Sequence, residues 1–165
     1  MRLSESITKE RMFPRLRLPV IPQALAIDCG LALAFALLWW GVAMLLMPTG
    51  MVNILTDQRE IFMPVGRAIA NPYTIGGYFN PPWTALLLAP FTQLPFHLAT
   101  LTQLALYFVL LTLIIHKFGG GRRAVLLTLT SFIALNSATE LNVEWMVCIG
   151  LLVPTRCSLQ FLLIK

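Results

Sequence analysis

Charge is what this sequence has least of. Only 12% of its 165 residues are Asp, Glu, Lys or Arg, against roughly a quarter in soluble globular domains. With 58% hydrophobic residues and a mean hydropathy of +0.78, an ordinary soluble domain is excluded and an integral membrane protein expected. Histidine is scarce as well: His97 and His116 are the only two, and the expected topology puts them on opposite sides, so no histidine metal site can be assembled. The three cysteines, Cys29, Cys148 and Cys157, lie in or near apolar stretches with neither metal-ligand spacing nor a disulfide framework, and read as small core residues. There is no internal repeat. The apolar run behind the N-terminal tail is too long for a signal-peptide core and lacks a clear small-residue cleavage site. The formal net charge of +5 does not mark a nucleic-acid binder, because the basic residues stand at the ends of apolar segments, where they set orientation.

What the sequence does have is long apolar runs. With ~20 apolar residues per crossing, the chain has room for about four transmembrane helices, so the expected class is an all-α, polytopic membrane protein. Residues 1–23 form a basic tail carrying Arg2, Lys9, Arg11, Arg15 and Arg17, expected on the cytoplasmic face. Residues 24–165 form the membrane domain, with spans at about 24–47, 96–115, 124–141 and 145–164 and an outer loop over 48–95. Asp28 is expected to reach the interface or cap the first helix start. The short basic loop His116–Arg123 belongs on the cytoplasmic side, and its triple glycine reads as a flexible turn, since the lysine and strand of a phosphate loop are missing. Pro154-Thr155-Arg156 interrupts the last apolar run, making it either one kinked span or two half-helices, with Arg156 needing a partner, a water-filled cavity or a headgroup.

The outer loop is where chemistry is expected. It holds Asp57, one of only two aspartates, followed by Arg59, Glu60 and Arg67. Two helices, around 59–70 and 82–94, are expected to lie along the outer surface, because Pro64 and Pro90 interrupt them and each is short for a crossing. Asp57 to Glu60 can be read as an ordinary solvated helix start, with Arg59 paired to a neighbour. Asn80-Pro81-Pro82-Trp83 is first of all a rigid lead-in to a helix, though Trp83 and Tyr78 could stack on a sugar face. After the third span come Glu140, Asn142 and Glu144, the two glutamates being either interfacial charges that end a helix or acids that hold an acceptor.

The order of these features resembles the GT-C superfamily of membrane glycosyltransferases, and most closely its bacterial polyprenyl-phosphate-mannose-dependent mannosyltransferases. The features are a first helix, an outer loop opening with Asp57, then Gly66-Arg67-Ala68, Asn71-Pro72-Tyr73, Asn80-Pro81-Pro82-Trp83, Leu94-Pro95, Asn142-Val143-Glu144 and Leu162-Leu163-Ile164-Lys165. The resemblance covers about 110 residues and looks like the N-terminal portion of that fold, since such families continue through further helices. It implies transfer of a mannose-like sugar from a polyprenyl phosphate donor to a lipid or glycan acceptor at the outer face of the cell membrane. Asp57 would be the general base, and Arg59 and Arg67 would face the phosphate leaving group. Arg59, Glu60, Arg67, Tyr78, Asn80, Trp83, Glu140, Asn142 and Glu144 form the expected substrate-binding set. No metal and no cofactor are expected, and the partners are the lipid-linked donor, the acceptor and membrane lipids. The alternative is a non-catalytic small membrane subunit packed against a larger membrane assembly.

Overall fold

A computed structural model describes residues 22–49 and 53–163. The basic tail, most of which is residues 1–21, and the terminal Ile164-Lys165 lie outside the described residues. The described chain is helical throughout, without a strand. Two helices, α1 (Gln23–Leu46) and α4 (Phe96–Lys117), are long and apolar enough to cross a bilayer. At 1.5 Å per residue they measure about 36 and 33 Å, against a hydrocarbon core of ~30 Å. Their bounds agree closely with the expected spans at 24–47 and 96–115.

The two helices run antiparallel. Asp28 meets His116 at one end, Phe35 packs edge-on against Phe108 at 5.2 Å in the middle, and the Trp40 indole N–H donates to the His97 carbonyl at 3.0 Å near the other end. The face α1 turns inward is narrow and small: its buried residues are Asp28, Ala32, Ala36 and Ala43, spaced so that they align on one side of the helix. Small side chains allow the backbones to approach closely. Much of the rest of α1 is apolar and uncovered, including Ile27, Leu33, Leu37, Leu38 and Leu45. A surface of that kind belongs against lipid or another protein.

Asp28 departs from expectation. It does not cap the helix start, and it is buried, 1% exposed. Its two carboxylate oxygens are held by His116 Nε2 at 2.9 Å and by Arg122 Nε at 2.8 Å. Three elements therefore meet on one carboxylate: α1, the end of α4, and the start of α5 (Arg122–Leu129). A buried carboxylate is tolerated only when its lone pairs are satisfied in this way.

The third expected span is a broken rod. α5 stops at Leu129, and α6 (Phe132–Glu140) restarts after Thr130-Ser131. Hydroxyls cause the break. Thr130 Oγ1 donates to the Leu126 carbonyl and Ser131 Oγ to the Thr128 carbonyl, while Ser131 Oγ also accepts from Ala134 N–H as the cap of α6. Such side chains offer the backbone an alternative to helical bonds.

The stretch 145–164 takes the form of two half-helices. α7 (Glu144–Leu152) leads toward the Lys117 end of α4, where the Lys117 ammonium donates to the carbonyls of Leu151 (2.6 Å) and Leu152 (3.4 Å). After Pro154, α8 (Thr155–Leu162) folds back on α7, with Gly150 at the closest approach: a Cβ there would lie 2.8 Å from Phe161 Cβ. Arg156 is thus in an exposed first turn beside the basic loop.

Removing the carboxylate should show how much hangs on it. Asp28→Asn leaves His116 and Arg122 without their counter-charge. The expected result is a lower unfolding midpoint, with a smaller loss than for a fully buried pair because half of Arg122 reaches solvent. Unfolding of the purified variant in mixed micelles measures it, and an unchanged midpoint would show that the cluster does not hold the three helices.

Candidate functional site

The loop between α1 and α4 folds into its own helical unit. A wide turn, Gln58–Phe62, in which the Met63 N–H reaches back five residues to the Gln58 carbonyl, runs into α2 (Met63–Arg67). α3 (Trp83–Thr92) follows after an irregular stretch. α2 and α3 touch at Gly66, where a Cβ would come within 2.4 Å of Thr92 Cγ2 and 3.1 Å of the Leu88 backbone. α3 continues through Pro90 for one more half-turn. The proline forfeits one backbone bond in the last turn, where little helix remains to be lost.

Asp57 lies at the head of the wide turn, half-buried, and its side chain makes no cap hydrogen bond. Immediately before it the chain is pinned to α6: the Leu55 N–H donates to the Thr139 carbonyl at 2.7 Å. The two loops expected to share one compartment, that of Asp57 and that of Glu140 to Glu144, are therefore in contact. Both sides of the junction are strained, for Leu55 (φ +59°) and Leu141 (φ +47°) are buried in the left-handed region. That conformation costs a residue with a Cβ about 1–3 kcal/mol. Wide helical turns and strain of this kind are both found preferentially at functional positions.

The other predicted residues divide. Arg59 and Glu60 are exposed and paired with one another at 2.8 Å, as the neighbour-pairing alternative expected. An exposed pair like this opens at little cost. Arg67, also exposed, stands ten residues beyond Asp57, about 15 Å of helical rise away, so it does not share Asp57's turn. Tyr78 is an architectural residue: its hydroxyl and that of Thr84 both reach the Pro81 carbonyl, at 2.8 and 2.7 Å, and meet each other. Burial pushes the Tyr78 hydroxyl above the ordinary tyrosine pKa. Asn80 precedes this knot, half-buried. Trp83 packs edge-on against Phe161 at 6.0 Å, and both line an open groove of about 450 Å³ with Leu86, Leu87 and Gln160.

Around the α6–α7 turn, Glu140 is exposed, and the Asn142 side-chain oxygen Oδ1 accepts from the Val143 N–H at 2.8 Å. Glu144 opens α7, where a carboxylate complements the positive end of the helix. It is half-buried and lies within electrostatic reach of Tyr107 and Cys148.

One residue escaped the sequence reading. Gln58, next to Asp57, is completely buried, and neither its amide oxygen nor its amide nitrogen has a hydrogen-bond partner among the described residues. Gln103 Oε1 on α4 and the Trp145 indole N–H on α7 are buried in the same condition. Only adjacency to Asp57 could have drawn attention to Gln58, since a lone glutamine carries no pattern. Among the described residues no cluster of His, Cys, Asp and Glu could hold a metal ion. No protein-family model, curated protein or solved structure matches the chain.

An orphaned amide weakens the fold that contains it. Gln58→Met, similar in shape but without polar atoms, is expected to raise stability by about 1–3 kcal/mol, seen as a higher thermal midpoint in detergent. A lower midpoint would mean that the amide is satisfied in the folded protein.

Proposed function

We propose that this chain is a multi-pass membrane protein that presents the Asp57 loop at one face and acts there in glycosyl transfer from a polyprenyl phosphate donor. In this reading α1 and α4 each cross the bilayer, α5 and α6 together make a broken third crossing, and the α7–α8 hairpin packs within the membrane with its turn at the basic end. The basic end is cytoplasmic, with the N-terminal tail, and the Asp57 loop opens toward the other side.

The observation that carries the reading is the Leu55–Thr139 hydrogen bond at 2.7 Å. It draws the segment bearing a half-exposed, uncapped aspartate against the segment bearing Glu140 and Glu144. The chemistry follows from these groups. An acceptor hydroxyl attacks the anomeric carbon, Asp57 takes its proton as the new C–O bond forms, and the bond to the phosphate oxygen breaks. The lipid phosphate leaves with the electron pair. One base and an anionic leaving group suffice for a single displacement with inversion. Arg59, freed from Glu60, is the cation nearest in sequence to Asp57 and the first candidate to meet the phosphate. The Trp83–Phe161 groove, apolar apart from Gln160, is suited to the lipid chain.

A second reading, a non-catalytic subunit of a larger membrane assembly, draws on α1. Gly30 and Gly41 lie open there, and a methyl group added at either would have nothing within 4 Å, a surface on which another helix could pack closely.

The test is transfer of labelled sugar from polyprenyl phosphate donors to a lipid and glycan extract by the chain in nanodiscs. Asp57→Asn is expected to lower the rate by roughly 10²- to 10⁴-fold, with an unchanged thermal midpoint. Turnover retained by the variant removes Asp57 as the base; no turnover in the parent chain, together with co-purification of a membrane partner, favours the subunit.

A further inference from the structure

The end of the molecule opposite Asp57 gathers cations from three elements. Lys117 closes α4, Arg122 and Arg123 open α5, and Arg156 stands in the first turn of α8, directly after the turn whose carbonyls Lys117 grips. All four side chains are exposed. Against them stands one acid at this end among the described residues, Asp28, and it is buried and already bound to His116 and Arg122. Asp57, Glu60 and Glu140 belong to the segments joined by the Leu55–Thr139 bond, and among the described residues none of them pairs with these four cations.

Two of the cations are fixed in place. Arg122 is anchored through Nε at 2.8 Å, and Lys117 through two carbonyls. Arg123 and Arg156 stand at either side of them with no counter-charge in the interactions described. Two arginines in the first turn of a helix also oppose its dipole, so both the helix and the side chains gain from an added anion. Phe118, 72% exposed, projects from the same loop. The uncovered apolar residues of α1, Ile27 and Leu31 among them, run right up to Asp28. Cations bordering an apolar surface, with an exposed aromatic ring among them, fit the boundary between headgroups and acyl chains.

We propose that Lys117, Arg122, Arg123 and Arg156 form a binding site for the phosphate of an anionic phospholipid. The lipid bridges the α4–α5 loop and the α7–α8 hairpin, and so completes a junction that the protein alone leaves with excess positive charge. Its chains lie along the adjoining apolar surface of α1. This site is independent of glycosyl transfer and lies at the other end of the molecule.

The test uses the full chain in nanodiscs of mixed phosphatidylglycerol and phosphatidylcholine, with retained lipids counted by native mass spectrometry. The parent chain should retain phosphatidylglycerol above its share of the bilayer. Arg123→Gln/Arg156→Gln, which leaves the Lys117 and Arg122 contacts and the five basic residues of the tail intact, should reduce that enrichment on the order of tenfold. The double variant should keep its helical circular dichroism. Arg59→Gln/Arg67→Gln, at the other end, should retain the enrichment. Equal loss in both double variants would reduce the effect to net charge and overturn the site. Displacement of the lipid by inorganic phosphate at constant ionic strength would overturn the lipid assignment in favour of a soluble phosphate ligand. No enrichment in the parent chain would overturn it outright.

Discussion

A single carboxylate decides how this molecule is put together. Asp28 sits in the first third of a helix that is otherwise apolar, and a charge there is admissible only if it is matched on both oxygens. The match comes from His116 and Arg122, which lie 88 and 94 residues further along the chain. Satisfying them fixes the antiparallel order of α1 and α4, sets their relative height, and places the start of α5 beside both. The alanine seam can then close, since Ala32 and Ala36 follow Asp28 at one-turn intervals on the same face.

Around that pair the rest of the structure is short-range and irregular. No helix after α4 exceeds nine residues among those described, and α5, α6 and α7 each end for a local reason: a hydroxyl competing for the backbone at Thr130-Ser131, a left-handed leucine at 141, a proline at 154. Lengths of that order do not cross a bilayer alone. They do bring loops from different parts of the chain into contact inside a scaffold of two long helices, which is the arrangement from which a site can be built.

The two long helices were legible because a run of more than 20 apolar residues has few other uses, and their ends agree with expectation to within two residues. The lead-in to α3 was legible too, since paired prolines fix the backbone whatever surrounds them. The role of Asp28 was not, because the partners of a buried charge are chosen by tertiary contact, and nothing at residue 28 points to residue 116 or 122. The break at Thr130-Ser131 in the expected third span was not legible, because in a membrane segment hydroxyls are common and often bond back without breaking the helix. In the outer loop the alternative for Arg59, pairing with a neighbour, is the one realised, and Tyr78 is occupied with holding the Pro81 turn. Asp57 makes no cap hydrogen bond among the described residues, and Gln58 beside it was silent because burial without a partner leaves no trace in composition.

The grip of Lys117 on Leu151 and Leu152 imposes an order of events. α7 ends without a cap of its own, and its last carbonyls are served by a side chain 34 residues earlier in the chain. During synthesis α4 is therefore complete and waiting before the segment it must hold has been made. The dependence runs one way: α4 can settle against α1 without the hairpin, whereas the hairpin finds its terminus only on a finished α4.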